Sequence, residues 1–326
     1  MKNKYFQFLR GILIIFVVFT HIIFENASEK INCINIILRT IINCEVPLFI
    51  FISAFFTDKD KVRKNPKAYI QKRFKRIVIP LLIFNALYGL FNFIGNGNLK
   101  KIFFQLIIFN TSGQLYYIVI LFILSLLTPI LIKLLENKVS KIILYSITPI
   151  YLLIIFILKV FYQISIPYYL YIVFGWLIYY LIGLEKDKYN ANENSIMVIV
   201  AVLIATIGNL LVYKININNY NYAISQINIL NMIYVIALIP VLLRYNNTYQ
   251  SNKITSFVEK IGDYSFGIFF IHMFVIRIMN CFIIKENINL VVYYIFGTII
   301  TVIFSYLVIW IFKRITKNKF DNYLGF

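Results

Sequence analysis

Long apolar runs separated by short polar segments recur along the whole chain. Each run is about 20 residues long, which is the length that a helix needs to cross a hydrocarbon layer of about 30 Å. Such runs lie near residues 6–24, 38–57, 77–95, 115–134, 142–159, 167–184, 195–213, 224–244, 265–284 and 290–312. The pattern therefore predicts an all-α polytopic membrane protein with about ten transmembrane helices.

One apolar run is too short to belong to this set. The segment IFFQLIIFN at 102–110 predicts an interfacial or re-entrant piece that leads into the fourth transmembrane helix. The longest polar insert, at 57–76, is typical of a loop. Because no internal repeat or polar linker separates the runs, we expect a single integral-membrane domain over residues 1–326.

Composition and charge support the same picture. The 326 residues are 61% hydrophobic and only 14% charged, and 32 Lys and Arg against 13 Asp and Glu give a net charge of +19. With the N-terminus inside, 24 basic residues fall on the inner side and 7 on the outer side. Because cytoplasmic loops carry such an excess, both termini are predicted to be cytoplasmic. The basic charge thus indicates membrane topology and no nucleic-acid partner.

The bias toward Ile, Asn, Lys and Tyr is typical of AT-rich genomes, so we expect a multi-pass protein of a bacterial cell membrane. The three cysteines, Cys33, Cys44 and Cys281, show neither a zinc spacing nor a disulfide framework. We expect free thiols, and one bridge on the outer side is the alternative.

The first predicted helix contains an arginine and one of only two histidines in the chain. Arg10 and His21 lie about three turns apart on one helix face, separated by about 16 Å in height. Both are costly in lipid unless they meet a partner or water. Arg10 either marks the cytoplasmic end of the helix or belongs to a site, and Gly11 lets a neighbour approach it closely. His21 either bonds a neighbouring helix or acts as a general base, for which its ordinary pKa is suited.

Small and polar residues interrupt the second predicted helix. Pro47 begins or bends it, and Ser53 lies at depth, where helices pack closely or a cavity opens. Glu45 is expected near the outer surface, either as an exposed carboxylate or as a partner that orients His21. Because no acidic residue falls in the middle of a predicted helix, the sequence argues against a cation-driven carrier and against a metal centre.

A pair of arginines precedes the third predicted helix, in the stretch YIQKRFKRIVIP. The three-residue spacing of Arg73 and Arg76 places both guanidinium groups on one helix face, which suits bidentate phosphate binding. Basic residues at a cytoplasmic helix end are also topology signals and ligands of anionic lipid. The spacing alone leaves both interpretations open.

Two further stretches carry polar residues at the start of apolar helices. In SGQLYYIVILFI, Tyr117 begins the fourth helix, where aromatic residues usually form an interfacial belt. In IGDYSFGIFFIHM, His272 lies about two turns inside the ninth helix, and Arg277 follows it. Both are costly in lipid and indicate a polar interior. No G-x-S-x-G, P-loop or H-E-x-x-H motif is present.

Four of these stretches resemble, in the expected order, the motifs of acyltransferase family 3. LRGILIIFVVFTH resembles its first-helix pattern, in which ten residues separate an arginine from a histidine, and VPLFIFISAFF resembles its second-helix motif. KRFKRIVIP resembles the paired-arginine motif, GDYSFGIFFIH resembles the late histidine segment, and QLYYIVIL resembles a degenerate fifth motif. The family consists of membrane-bound bacterial enzymes that O-acylate sugars of surface polysaccharides. The resemblance covers essentially the whole chain.

The resemblance implies a role for each motif. His21 would act as general base on an acceptor hydroxyl, and Arg10 would hold the acyl-CoA or the developing charge. Arg73 and Arg76 would bind the phosphates of acyl-CoA from the cytoplasm, with Ser53 lining the same cavity. The expected co-substrate is acetyl-CoA, without a tightly bound cofactor or metal.

The acceptor implied by the resemblance is a cell-surface polysaccharide or its lipid-linked precursor. Glu45, His272 and Tyr117 are candidate supporting residues. Ala54 stands where the family usually has glycine, and Tyr116 and Tyr117 stand where Trp-Phe is common, so a divergent acceptor or weakened activity is one reading. The alternative function is an exporter or flippase of a surface glycan or lipid-linked intermediate.

Overall fold

The computed structural model describes residues 3–23, 28–96, 98–164, 166–167, 170, 172–186, 195–282 and 289–326. Over these ranges the chain forms helices joined by turns, without strands. The α-helices in chain order are α1 (Lys4–Ile22), α2 (Glu29–Ile42), α3 (Glu45–Phe55), α4 (Lys59–Lys64), α5 (Pro66–Arg73), α6 (Ile79–Asn96), α7 (Leu99–Ile107), α8 (Tyr116–Leu134), α9 (Lys138–Phe156), α10 (Leu177–Leu184), α11 (Ser195–Ile215), α12 (Tyr220–Ala223), α13 (Ile229–Thr248), α14 (Lys253–Asp263), α15 (Ser265–Phe282), α16 (Leu290–Thr316) and α17 (Asp321–Leu324).

Nine helical stretches in the described part of the chain are long and apolar enough to cross a membrane. They are Lys4–Ile22, Glu29–Phe55, Pro66–Gly95, Gly113–Leu134, Lys138–Phe161, Ser195–Ile215, Ile229–Thr248, Ser265–Phe282 and Leu290–Thr316. The stretch Pro66–Gly95 combines α5 and α6 through a π-helical turn at Phe74–Val78. The predicted all-α polytopic membrane fold is therefore confirmed.

The predicted transmembrane helix at 167–184 differs from the expectation. Its described part contains a 3-10 turn at Val173–Gly175 and then α10, whose eight residues span about 12 Å, too short to cross the membrane as one helix. Every residue of α10 is buried, so protein and not lipid surrounds the irregular backbone. The hydroxyl of Thr148 supports the break, because it donates to the carbonyl of Phe174 at 2.7 Å and accepts from the N–H of Ile178 at 3.1 Å.

The second predicted helix begins earlier in the chain than its apolar run. α2 and α3 form one stretch of 27 residues with a turn before Glu45, which lies in the middle of that stretch and is fully buried. The interpretation of Glu45 as an exposed carboxylate, and the statement that no acidic residue lies in mid-helix, are therefore wrong. The reason is that α2 continues the helix with polar residues such as Asn32 and Asn35, which are buried against tyrosines of other helices.

The amphipathic helix α14 packs directly on α1, a contact that the sequence did not predict. A Cβ atom added to Gly11 would lie 2.2 Å from the carbonyl oxygen of Val258, and one added to Gly262 would lie 1.8 Å from that of Gln7. Both glycines are therefore required for the close approach of the two backbones. The expectation that Gly11 admits a close neighbour is confirmed, and the neighbour is α14.

Residues from both ends of the chain lie at the same end of the bundle. Gly262 contacts Gln7 near the start of α1, and Phe326 packs on Gly267 at the start of α15. This placement agrees with an even number of crossings, once the broken segment that contains α10 is counted with the nine long stretches.

Three other expectations have a structural outcome. Ala54, where a glycine was expected, packs on Gly183 of α10, so the small residue that allows close approach stands on the partner helix. Cys33, Cys44 and Cys281 are free cysteines, as expected. The predicted interfacial or re-entrant piece is α7, which packs along α6, with the amide of Asn85 donating to the carbonyl of Leu106 at 2.9 Å.

Candidate active site

A cavity of about 740 Å³ opens at the end of the bundle that carries the basic segment 57–76. Exposed residues such as Lys61, Lys64 and Lys72 line its mouth. Six basic and two acidic side chains line the cavity, which leaves four net positive charges. A cavity with this charge selects a polyanionic ligand.

Arg73 lies in the wall of the cavity and is held by neutral groups. Its Nε donates to the hydroxyl of Tyr69 at 3.2 Å, and its Nη2 donates to the Thr57 hydroxyl at 3.1 Å and to the Ser53 carbonyl at 3.4 Å. The Tyr69 ring lies 5.3 Å from the guanidinium carbon. These contacts fix the direction of the guanidinium group without neutralising its charge. Ser53, also in the wall, thus contributes its backbone carbonyl to the site.

Arg10 lines the same cavity from α1. Its Nη1 donates to the Gln7 side chain at 3.4 Å, and its guanidinium carbon lies 5.5 Å from the centre of the Phe56 ring. Arg76, on the π-helical turn, is exposed and lines the cavity as well. The charges of Arg10, Arg73 and Arg76 lie close enough to repel one another, so a bound polyanion would stabilise all three.

Asp58 is one of the two acidic residues that line the cavity. Its carboxylate accepts from the backbone N–H of Lys61 at 3.1 Å and pairs with the ammonium group of the same residue at 3.1 Å. The backbone hydrogen bond and the lysine lower the pKa of Asp58, which therefore stays ionised at neutral pH. Asp58 also caps the N-terminus of α4, so its position follows from local structure.

Three aromatic rings pack against one another in the wall of the cavity. Tyr117 of α8 contacts Phe269 of α15 edge to face, with the ring centroids 5.1 Å apart, and Phe49 of α3 with the centroids 6.2 Å apart. Tyr117 and Phe269 are both buried. The interpretation of Tyr117 as an interfacial belt residue is therefore wrong, because the start of α8 is covered by neighbouring helices.

The two histidines of the chain meet just beyond these rings. The ring centroids of His21 and His272 lie 5.3 Å apart, and that of Phe269 lies 5.9 Å from His272. His21 retains partial exposure, whereas His272 is fully buried. The Nδ1 of His272 lies 3.1 Å from the carbonyl oxygen of Ile268, which can only accept a hydrogen bond. A neutral His272 therefore carries its proton on Nδ1. Its Nε2 atom then has a free lone pair and no hydrogen-bond partner among the described residues.

Glu45 belongs to a second buried polar group. Its Oε1 accepts from the Gln226 amide at 2.5 Å and from the Thr20 hydroxyl at 3.3 Å, and the Tyr116 hydroxyl donates to Gln226. Its Oε2 is buried and has no hydrogen-bond partner in the described part of the chain. The ring neighbour of His21 is His272, and the hydrogen-bond partners of Glu45 are Thr20 and Gln226. The expected orientation of His21 by Glu45 is therefore not observed.

The sequence-predicted residues thus fall into three groups. Those in the cavity are Arg10, Ser53, Arg73, Arg76 and Tyr117. His21 and His272 form a pair, and Glu45 lies with Thr20 and Gln226. Sequence reasoning missed Phe49, Phe269 and Gln226, whose types are unremarkable within apolar segments. The one sign in the sequence that could have identified Phe269 is its position one helical turn before His272.

The sequence profile of the acyltransferase domain of family 3 matches residues 3–310, nearly the whole chain. The chain belongs to acyltransferase family 3. A search of curated proteins and a search of solved structures gave no match.

Family membership agrees with the site, which combines a cationic cavity with a neighbouring pair of imidazoles. For a member of acyltransferase family 3, the broad activity follows: the protein is a multi-pass membrane acyltransferase. Each of the four motif stretches supplies residues to the cavity or to the histidine pair beyond it.

Proposed function

We propose that the protein transfers an acyl group, with acetyl as the expected one, from acyl-CoA to a hydroxyl group of a cell-surface polysaccharide or its lipid-linked precursor. The observation that carries this proposal is the contact between the inner end of a cationic cavity and a pair of histidines. The acyl-CoA is a co-substrate, and the enzyme needs no tightly bound cofactor in this mechanism. The setting is a bacterial cell membrane.

The cavity binds the CoA portion of the donor. Arg73 and Arg76 at the cytoplasmic end interact with its phosphates, for which guanidinium groups offer bidentate hydrogen bonds. Arg73 is already oriented by Tyr69, Thr57 and the Ser53 carbonyl, so little side-chain entropy is lost on binding. Arg10 lies deeper and interacts with the donor near its thioester end.

His21 acts as the general base. It takes the proton of the acceptor hydroxyl while the oxygen attacks the thioester carbonyl, and the tetrahedral intermediate then expels the CoA thiolate, which takes a proton from the imidazolium. The products are an O-acyl ester and CoA with a free thiol. The partial exposure of His21 favours it over the fully buried His272 as the group that meets the acceptor.

His272 positions His21 in this mechanism. The Nε2 atom of His272 has no hydrogen-bond partner among the described residues, and the ring of His272 lies beside that of His21. His272 can therefore accept a hydrogen bond from the neutral or protonated imidazole of His21. Such an acceptor selects one tautomer of the base and stabilises the imidazolium that forms.

The test separates acyl transfer from glycan export. Cells that express wild-type protein or His21→Ala are compared by mass spectrometry for O-acyl groups on the surface glycan and, separately, for total surface glycan. We expect the variant to lose O-acylation while the amount of glycan is unchanged. Loss of the glycan itself from the surface, with acyl transfer from acetyl-CoA retained, would overturn the proposal and support an exporter.

A further inference from the structure

Aromatic side chains from three different helices meet in the wall of the cavity. Phe49, Tyr117 and Phe269 all line the cavity, and Tyr117 contacts both of the other rings. The separations of 5.1 and 6.2 Å between ring centroids are those of aromatic rings in direct contact. The three rings, here called the aromatic layer, therefore pack in series, with Tyr117 between Phe49 and Phe269.

The chemistry proposed for this protein lies on both sides of the aromatic layer. Arg10, Arg73 and Arg76 line the cavity below it. One helical turn beyond it on α15, His272 contacts Phe269 and His21. Neither histidine lines the cavity, but the Phe269 ring both lines it and contacts His272. In the proposed reaction, a thioester bound by the arginines therefore passes this ring to meet the base.

The composition of the aromatic layer determines what can pass it. Phenylalanine rings turn about two side-chain torsions, and a flat thioester with a short acyl chain needs only a narrow opening between two ring faces. A long or branched chain requires larger displacement of rings that are packed in the core of the bundle, where added volume costs packing energy. Tyr117 also lies within electrostatic range of Arg10 and Arg73, which places it at the boundary between the charged cavity and the apolar layer.

We propose that Phe49, Tyr117 and Phe269 form a filter that selects the donor by acyl-chain size and admits short, unbranched acyl groups to His21. This inference rests on the proposed acyl transfer from acyl-CoA and adds the residues that set its donor specificity. Phe269 is expected to contribute most to donor selection, because its ring contacts both Tyr117 of the layer and His272 of the histidine pair.

The experiment measures the donor profile of Phe269→Ala. Membranes from cells that contain the native acceptor and express each variant receive radiolabelled acetyl-, butyryl-, hexanoyl- or octanoyl-CoA, and label in the glycan fraction is counted. We expect the rate with hexanoyl-CoA relative to acetyl-CoA to rise at least about tenfold, since each methylene in an apolar site is worth roughly 10-fold or more in discrimination. Phe49→Ala is expected to shift the ratio in the same direction.

The matched control is Phe274→Ala, which removes the same ring from the same helix. Phe274 does not line the cavity, and its ring stacks on that of Tyr88 at 3.9 Å between centroids. Its loss costs packing away from the aromatic layer, so its ratio of rates should equal that of the wild type. Phe269→Leu, which keeps an apolar side chain, serves where Phe269→Ala fails to fold and should show a smaller shift of the same sign.

The outcomes separate the filter from the acyltransferase proposal. If wild-type membranes transfer acyl groups but Phe269→Ala or Phe269→Leu keeps the wild-type ratio, the filter is overturned and acyl transfer stands. An equal shift in Phe274→Ala also overturns it, because general loosening of the bundle then explains the profile. If wild-type membranes transfer no acyl group from any of these donors, both proposals are overturned.

Discussion

The imidazole rings of His21 and His272, the two histidines of the chain, lie 5.3 Å apart between their centroids. They come from α1 and α15, helices near opposite ends of the sequence, which pack side by side in the bundle. His272 is fully buried and His21 is partly exposed, so the pair has one accessible and one enclosed imidazole.

The first prediction concerns this pair. His21→Ala should lower kcat for acyl transfer by about 100- to 10,000-fold, the range that a general base contributes. His272→Asn should lower kcat by a smaller factor, leave KM for acetyl-CoA unchanged and shift the pH dependence of kcat, because the hydrogen-bond acceptor for His21 is altered. Steady-state kinetics at several pH values measure both effects.

Phe274→Leu is the control for His272→Asn. Phe274 lies on the same helix and stacks on Tyr88 at 3.9 Å between centroids, so its replacement disturbs α15 without touching the histidines. It should leave the pH dependence unchanged. A His272→Asn variant with a wild-type pH profile and reduced activity would show that His272 acts only through packing.

The second prediction concerns the donor cavity. Arg73→Ala combined with Arg76→Ala should raise KM for acetyl-CoA by at least about tenfold, because each charge-assisted hydrogen bond contributes about 1.5–3 kcal/mol. The loss of affinity should diminish at high salt, where the phosphate interaction is already screened. Binding of CoA to the purified protein in detergent, measured at two salt concentrations, tests both statements.

Arg314→Ala combined with Lys317→Ala removes the same number of positive charges outside the cavity. This control should leave CoA affinity unchanged. Equal losses in the two double variants would show that general positive charge attracts CoA, and that the arginine pair has no specific role. Arg73→Lys keeps the positive charge but should not keep the wild-type affinity for CoA. Lysine cannot make the contacts to Tyr69, Thr57 and the Ser53 carbonyl together.

Most of the fold was predictable from the sequence, since long apolar runs have few alternatives to membrane-spanning helices. The segment at 167–184 was not, because α10 is shielded by protein and its backbone is supported by Thr148. The burial of Glu45 was missed for a related reason. α2 carries polar residues whose partners lie on α11 and neighbouring elements, and a single apolar run gives no sign of them.

Part of the site was predictable in the same way. Arg10, Arg73 and Arg76 stand out as charges beside apolar runs, whereas the cavity that they share depends on how α1 and the basic segment 57–76 come together. The aromatic layer does not stand out, because Phe is abundant in this chain and only packing distinguishes Phe269 from Phe270. The pairing of His21 with His272 depends on which helices become neighbours.

The third prediction concerns the buried carboxyl group of Glu45. Glu45→Gln keeps an oxygen that can accept from Gln226 and Thr20, so it should melt close to the wild-type temperature. Glu45→Ala leaves those donors without an acceptor and should lower the free energy of unfolding by about 1–3 kcal/mol. Thermal unfolding of the purified variants in detergent measures the difference. If Glu45→Gln is as unstable as Glu45→Ala, the carboxylate itself holds the group together.

The last prediction concerns the contact between α1 and α14. Gly262→Ala should destabilise the protein by at least about 1–3 kcal/mol, because the added Cβ would overlap the carbonyl oxygen of Gln7 and push the helices apart. Gly95→Ala is the matched control, since nothing lies within 4 Å of its added Cβ and alanine favours a helix by up to about 1 kcal/mol. It should be neutral or stabilising. Gln7 also accepts a hydrogen bond from Arg10 in the cavity wall, so Gly262→Ala should raise KM for acetyl-CoA as well. A loss of stability with unchanged KM would show that the position of Arg10 is independent of α14.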